Sequence, residues 1–121
     1  MKEKKTNINS RLKSFKYAIN GLITLFKEET NAKTHLLFAV LVVIAGIYLE
    51  LSAQDWIALT LCIAFVISME LLNTAVEHLA DIVSPTWHPL VKKAKDIAAG
   101  AVLVAAIAST IVGLLIFLPR I

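Results

Sequence analysis

"WIALTLCIAFVISM" (residues 56–69) runs straight into "ELLNTAVEHLAD" (70–81), and the junction at Glu70 decides how the chain is read. The first stretch holds fourteen residues without a charge, enough to begin a membrane span. At about 100° per residue, Glu70, Asn73, Glu77 and Asp81 fall at roughly 0°, −60°, −20° and +20°, one polar face of a single helix. Counted from Trp56 at the outer interface, Glu70 lies roughly 21 Å down that helix and Glu77 about 10 Å further. A carboxylate inside a span costs on the order of 3 kcal/mol on insertion scales, and such residues face a bundle interior or a polar cavity. Glu77 and Asp81 alone would pass for ordinary headgroup-level charges. Glu70 would not. The stripe begins in the inner leaflet and ends in cytoplasmic water, where a lipid headgroup and a water-soluble partner meet.

Composition agrees. The chain has 121 residues, 58% of them hydrophobic, with a mean hydropathy of +0.75, which points to one membrane-class domain. Twelve Lys/Arg stand against nine Asp/Glu. Eight of the basic residues precede Leu36, three more (Lys92, Lys93, Lys95) lie between the second and third apolar runs, and the loop "ELSAQD" (50–55) has none. That distribution is the positive-inside pattern of three spans with a cytoplasmic N-terminus rather than a nucleic-acid surface. The first apolar run begins only at Leu36, with no small-residue cleavage pattern after it, so no signal peptide is expected and the protein is placed in the inner membrane as a multi-pass chain. Cys62, the lone cysteine, sits in an apolar run and is expected to pack as a small apolar residue.

Along the chain, residues 1–10 read as polar and unstructured. From Arg11, the apolar Leu12, Phe15, Ile19, Leu22, Ile23 and Phe26 recur at helical spacing opposite Lys13, Lys16, Asn20 and Lys27. This is an amphipathic helix for the membrane surface, or a short helix packed on the bundle. The expected division is a basic segment with surface helix over 1–35 and a three-helix transmembrane domain over 36–121, with spans at about 34–50, 56–81 and 90–118. The uncharged part of the first span is short, so its helix must extend through "NAKTH" (31–35). "SPTWHP" (84–89) ends one helix and starts the next, with Pro89 suited to a first turn. "AAGA" and "AAIAS" in the last span supply small residues for close helix packing. The fold class is all-α membrane protein, an N-terminal amphipathic surface helix plus three transmembrane helices.

Two further clusters share the cytoplasmic water layer. The acidic pair Glu28 and Glu29 precedes the first span; it is able to hold Mg²⁺ on phosphates, or to be simply solvated. In "KKAKD" (92–96), Lys95 and Asp96 open the third span, either as polyphosphate binders or as part of the positive-inside cluster. No G-x-x-x-x-G-K-[ST], H-R-D or D-F-G is present, so any nucleotide chemistry uses a different kind of site. His35, His78 and His88 lack zinc-ligand spacing and read as structural.

"E-L-L-N-T-A-V-E-H-L-A-D" (70–81) followed by "A-K-D-I-A-A-G-A-V-L" (94–103) resembles the small bacterial diacylglycerol kinase family, which includes undecaprenol kinases. The resemblance runs from about Arg11 to Phe117, and the two motifs at this separation are highly specific. It implies that Glu70 is the catalytic base toward a lipid hydroxyl, that Asn73 belongs to the site, and that Glu29 and Glu77 are the metal pair. "E-T-N-A-K-T-H" (29–35) is similar to the family's E-x-N-F-R-x-H; Ala32 replaces the usual aromatic and Lys33 the usual arginine, which leaves Glu28 as a substitute for Glu29. Lys95 and Asp96 match the family's nucleotide-contacting K-D, and Arg11, Lys13 and Tyr17 resemble its other nucleotide-side positions. The resemblance also implies a homotrimer with sites shared between subunits.

The expected activity is transfer of the γ-phosphoryl of ATP, with Mg²⁺, to a membrane lipid alcohol. "E-T-N-A-K-T-H" and "S-P-T-W-H-P-L" (84–90), with His35 in place of an acidic residue, resemble the undecaprenol-kinase branch, so undecaprenol is favoured over diacylglycerol. Two rivals belong to other classes. A cation channel or transporter needs the polar face to continue outward, where only Thr60 and Ser68 are available. A non-catalytic accessory subunit would use the stripe for helix contacts alone.

Overall fold

The computed structural model describes residues 7–121, so Lys2, Lys4 and Lys5 lie outside the described residues. Four α-helices follow one another: α1 Ile8–Glu28, α2 Thr30–Tyr48, α3 Ala53–Val83 and α4 Pro89–Phe117, with a 3₁₀ turn at Leu118–Arg120. α1 starts three residues earlier than Arg11. Asn7 is the reason: its Oδ1 accepts the Ser10 N–H at 2.8 Å, a side-chain cap that satisfies a first-turn donor. α3 likewise starts at Ala53 rather than Trp56, because Ser52 Oγ accepts the Asp55 N–H at 3.2 Å. Pro89 occupies the first turn of α4, and His88 caps it through Nδ1, which accepts the Leu90 N–H at 3.1 Å.

α2 includes "NAKTH" and reaches 19 residues. With α3 at 31 residues and the stretch Pro89–Arg120 at 32, three helices among the described residues are long and apolar enough to cross a membrane. Leu37, Phe38, Leu41, Leu61, Phe65 and Leu103 are exposed on their flanks, as lipid-facing side chains are in a bundle whose backbone polar groups are satisfied within helices. On α1, Leu12, Phe15 and Ile19 are exposed too; only Leu25 is buried. α1 is therefore not packed on the bundle along its length.

Side-chain pairs fix the register. His35 meets Glu70 and Gly46 faces the Trp56 ring, so α2 and α3 are antiparallel, while Glu28 at the end of α1 meets His78 of α3. Asp55–Arg120, Cys62–Ser109 and Asp81–Lys95 do the same for α3 and α4. Ala105, fully buried, is where α4 comes close to its neighbours, as expected of its small-residue stretches.

The α2–α3 turn closes the far end. Leu51 N–H donates to Gly46 O at 3.2 Å and Glu50 N–H to Ile47 O at 3.3 Å, with Glu50 at φ 52°; together these form a Schellman cap. It folds Leu51 onto Leu59 and Ile116, with Trp56 and Phe117 beside them. A Cβ at Gly46 would stand 2.8 Å from the Trp56 ring and 2.9 Å from Leu51 Cδ1. Gly46→Ala is expected to destabilise the protein by about 1–3 kcal/mol through overpacking, more than alanine's better helix propensity returns. A thermal melt in detergent checks this; an unchanged midpoint would mean that the turn relaxes freely.

Candidate active site

α3 buries Leu59, Val66, Glu70, Thr74 and Ala80, so Glu70 sits on the same inward line as the helix's apolar core. The Glu70 side chain is 4% exposed. α2 brings His35 to it, Nε2 at 3.2 Å from Oε1. Ala32, 1% exposed and one turn earlier, lies buried in the first turn of α2 where a large side chain would need room. The His35–Glu70 approach lacks hydrogen-bond alignment, so among the described residues Glu70 Oε1 remains without a hydrogen-bond partner, as do Asn73 Oδ1 and Thr74 Oγ1. Three orphaned buried oxygens within five residues of one helix are unusual in a finished core and common where a ligand group completes the bonding.

Glu29 occupies the break between α1 and α2, closing one helix and opening the other with extended backbone (φ −103°, ψ 115°). It is half-buried, and with Glu77 lies within Coulombic reach of Glu70. Glu28 turns elsewhere: it is exposed and 3.7 Å from His78. Among the described residues, no three His, Cys, Asp or Glu side chains converge closely enough to hold a metal by themselves.

Lys95 bonds Asp81 at 2.7 Å across the α3–α4 interface, which ties the end of the stripe to the start of α4. Asp96 bonds Lys92 at 2.6 Å on the exposed side of α4, an i, i+4 pair. Arg11, Lys13 and Tyr17 are exposed on α1, with Tyr17 about two turns ahead of Leu25, the buried residue of that helix. The molecule thus brings Glu29 and Glu77 within Coulombic reach of Glu70 and Lys95 within reach of Glu77, and leaves Arg11, Lys13 and Tyr17 exposed on α1. Toward the N-terminal end of α3 the inward positions are Val66 and Leu59, so the polar face stops at Glu70 and the channel reading loses its path.

Sequence reasoning did not place His35 and Thr74 beside Glu70. His35 read as a structural histidine, since its contact with Glu70 spans two helices and leaves no trace in spacing. Thr74 was visible in principle: it is one turn after Glu70, on the same face.

Residues 16–117 match the family profile described as prokaryotic diacylglycerol kinase. The chain is 44% identical to an undecaprenol kinase of Bacillus subtilis over 119 residues, 98% of this chain and 97% of that protein. A diacylglycerol kinase of Synechocystis sp. is also 44% identical, over 89% of this chain but 62% of its own length. One from Escherichia coli is 27% identical, over 88% of this chain and 87% of its own. Tyr17 falls inside the matched stretch, and Arg11 and Lys13 precede it. With a match over most of the chain and relatives that cover nearly its whole length, the chain belongs to the prokaryotic diacylglycerol kinase family: it is a lipid kinase built on three membrane-length helices.

Proposed function

We propose that the protein phosphorylates a membrane lipid alcohol, undecaprenol in preference to diacylglycerol, from Mg·ATP, with Glu70 as the general base. The observation that carries this is a buried carboxylate 3.2 Å from His35, which lines an apolar cleft, with two more carboxylates within Coulombic reach of it. Glu70 accepts the hydroxyl proton as the alcohol oxygen bonds to the γ-phosphorus; the bond from that phosphorus to the β–γ bridging oxygen breaks, and ADP departs. Asn73 orients Glu70 or a phosphate oxygen.

Glu29 and Glu77 would hold Mg²⁺. The donors at hand are all oxygen, and two carboxylates suit an ion that draws its other ligands from phosphates and water. Bound there, Mg²⁺ supplies neutralisation of charge on the transferring group. Its preference for Glu29 over Glu28 rests on burial and on nearness to Glu70. Lys95 neutralises developing charge, exchanging Asp81 for phosphate, and Asp96 binds the nucleotide.

Arg11, Lys13 and Tyr17 lie on an amphipathic helix at the membrane surface and complete the nucleotide side. Their exposure on α1 leaves them free to serve a neighbouring subunit, which supports a homotrimer with shared sites. The positive-inside distribution supports an inner-membrane protein with its N-terminus in the cytoplasm. The preference for undecaprenol rests on the Bacillus relative, whose length this chain matches almost completely.

The test is γ-phosphoryl transfer from Mg·ATP in detergent–lipid micelles, with undecaprenol and diacylglycerol offered separately. Undecaprenol is expected to be labelled faster. Faster labelling of diacylglycerol would reassign the substrate, and labelling of neither would overturn the kinase reading in favour of an accessory subunit.

A further inference from the structure

We propose that the apolar cleft beside Glu70 seats the hydroxyl-proximal isoprene units of a polyprenyl alcohol, with Gly113 setting its depth. The inference rests on the lipid-kinase reading of Glu70 and adds to it the chemical class and the position of the chain. The cleft encloses about 380 Å³ between α2, α3 and α4. His35 stands at one end, lines it, and is 3.2 Å from Glu70 Oε1. An occupant whose head passes His35 therefore meets the carboxylate. Leu59 and Gly113 belong to the opposite end, Leu59 being roughly 16 Å along α3 from Glu70.

The wall selects the chemistry. Beyond His35 its polar side chains are Cys62, Ser109 and Thr110. Ser109 Oγ donates to Cys62 O at 3.4 Å, and Thr110 Oγ1 donates to Ala106 O at 2.8 Å. Both hydroxyl hydrogens are spent on backbone, and a thiol is a weak donor. A diacylglycerol carries two ester carbonyls close to its hydroxyl, and within this wall the ring N–H of His35 is the single strong donor for both, which leaves at least one unpaired. A polyprenyl alcohol has no polar atom beyond its hydroxyl, so an apolar groove ending at His35, with the Glu70 carboxylate 3.2 Å behind it, matches it. Undecaprenol, with eleven isoprene units, is much longer than the cleft; its remaining units would continue into lipid.

Gly113 makes the idea testable, because it lines the cleft and a Cβ there meets nothing within 4 Å, so a side chain at this position starts in open space. Cys62 supplies a readout that does not depend on catalysis, since it is the lone cysteine and lines the cleft. The experiment uses the full chain in detergent micelles. Geranylgeraniol at ten times its Kd is expected to slow alkylation of Cys62 by N-ethylmaleimide by roughly tenfold. Gly113→Leu is expected to raise the ratio of kcat/KM for geraniol over geranylgeraniol by roughly tenfold or more. The same substitution at Gly100, which also has open space but does not line the cleft, is expected to leave that ratio in place.

Geranylgeraniol that is phosphorylated while Cys62 reacts at its unprotected rate would overturn the cleft proposal and leave the kinase reading standing. Protection of Cys62 with no alcohol phosphorylated would support the cleft and overturn the kinase reading. A change of oligomer size in Gly113→Leu, with the ratio unmoved, would overturn the cleft in favour of a seat for a helix of a second copy.

Discussion

Glu70→Gln is expected to lower kcat for lipid phosphorylation by about 10²–10⁴-fold, the contribution of a positioned general base. Glutamine keeps the shape and one oxygen for His35 but cannot accept the hydroxyl proton. The fold is expected to survive. Glu70 is 4% exposed and Oε1 lacks a hydrogen-bond partner, so removing its charge relieves a desolvation cost rather than breaking a bonded network. The thermal midpoint should hold or rise and ATP should still bind. This separates the catalytic reading from the accessory-subunit rival, which expects unchanged function in the same variant.

The metal pair gives the second large effect. Glu29→Gln or Glu77→Gln is expected to raise the Mg²⁺ concentration for half-maximal transfer by at least about 10–100-fold, the range seen when even a supporting partner of a metal site is lost. Glu28→Gln is expected to leave it within about twofold, because Glu28 is exposed and faces His78, an exposed pairing of little energetic consequence. A Mg²⁺ titration at saturating ATP checks all three variants side by side. If Glu28→Gln shifts the requirement and Glu29→Gln does not, the two neighbours exchange roles.

Much of this was readable in the chain because membrane helices obey few rules. The position of charges along "WIALTLCIAFVISMELLNTAVEHLAD" (56–81) was enough to place a helix, its inward face and Glu70 on it. Helix starts were less legible. Asn7 and Ser52 each extend a helix by three residues through a side-chain cap, although Ser52 with Asp55 has the S-x-x-D spacing that marks such a start. The αL residue Glu50 gave no warning, since glycine is the residue expected there. Contacts between helices were the real blind spot. Nothing in "NAKTH" indicates that His35 will stand beside Glu70, and nothing in "KKAKD" that Lys95 will reach Asp81 while Asp96 turns back to Lys92. Such pairings depend on how helices rotate against each other, which a single periodicity leaves free.

The most direct test of the central claim is a single-turnover comparison of wild type and Glu70→Gln, both saturated with Mg·ATP and undecaprenol. The labelled γ-phosphoryl should appear on undecaprenol in the wild type, and in Glu70→Gln the chemical step should slow by about 10²–10⁴-fold with ATP still bound. Transfer at the wild-type rate in Glu70→Gln would contradict the assignment of Glu70 as the base and with it the account of why a carboxylate is buried among apolar residues of α3.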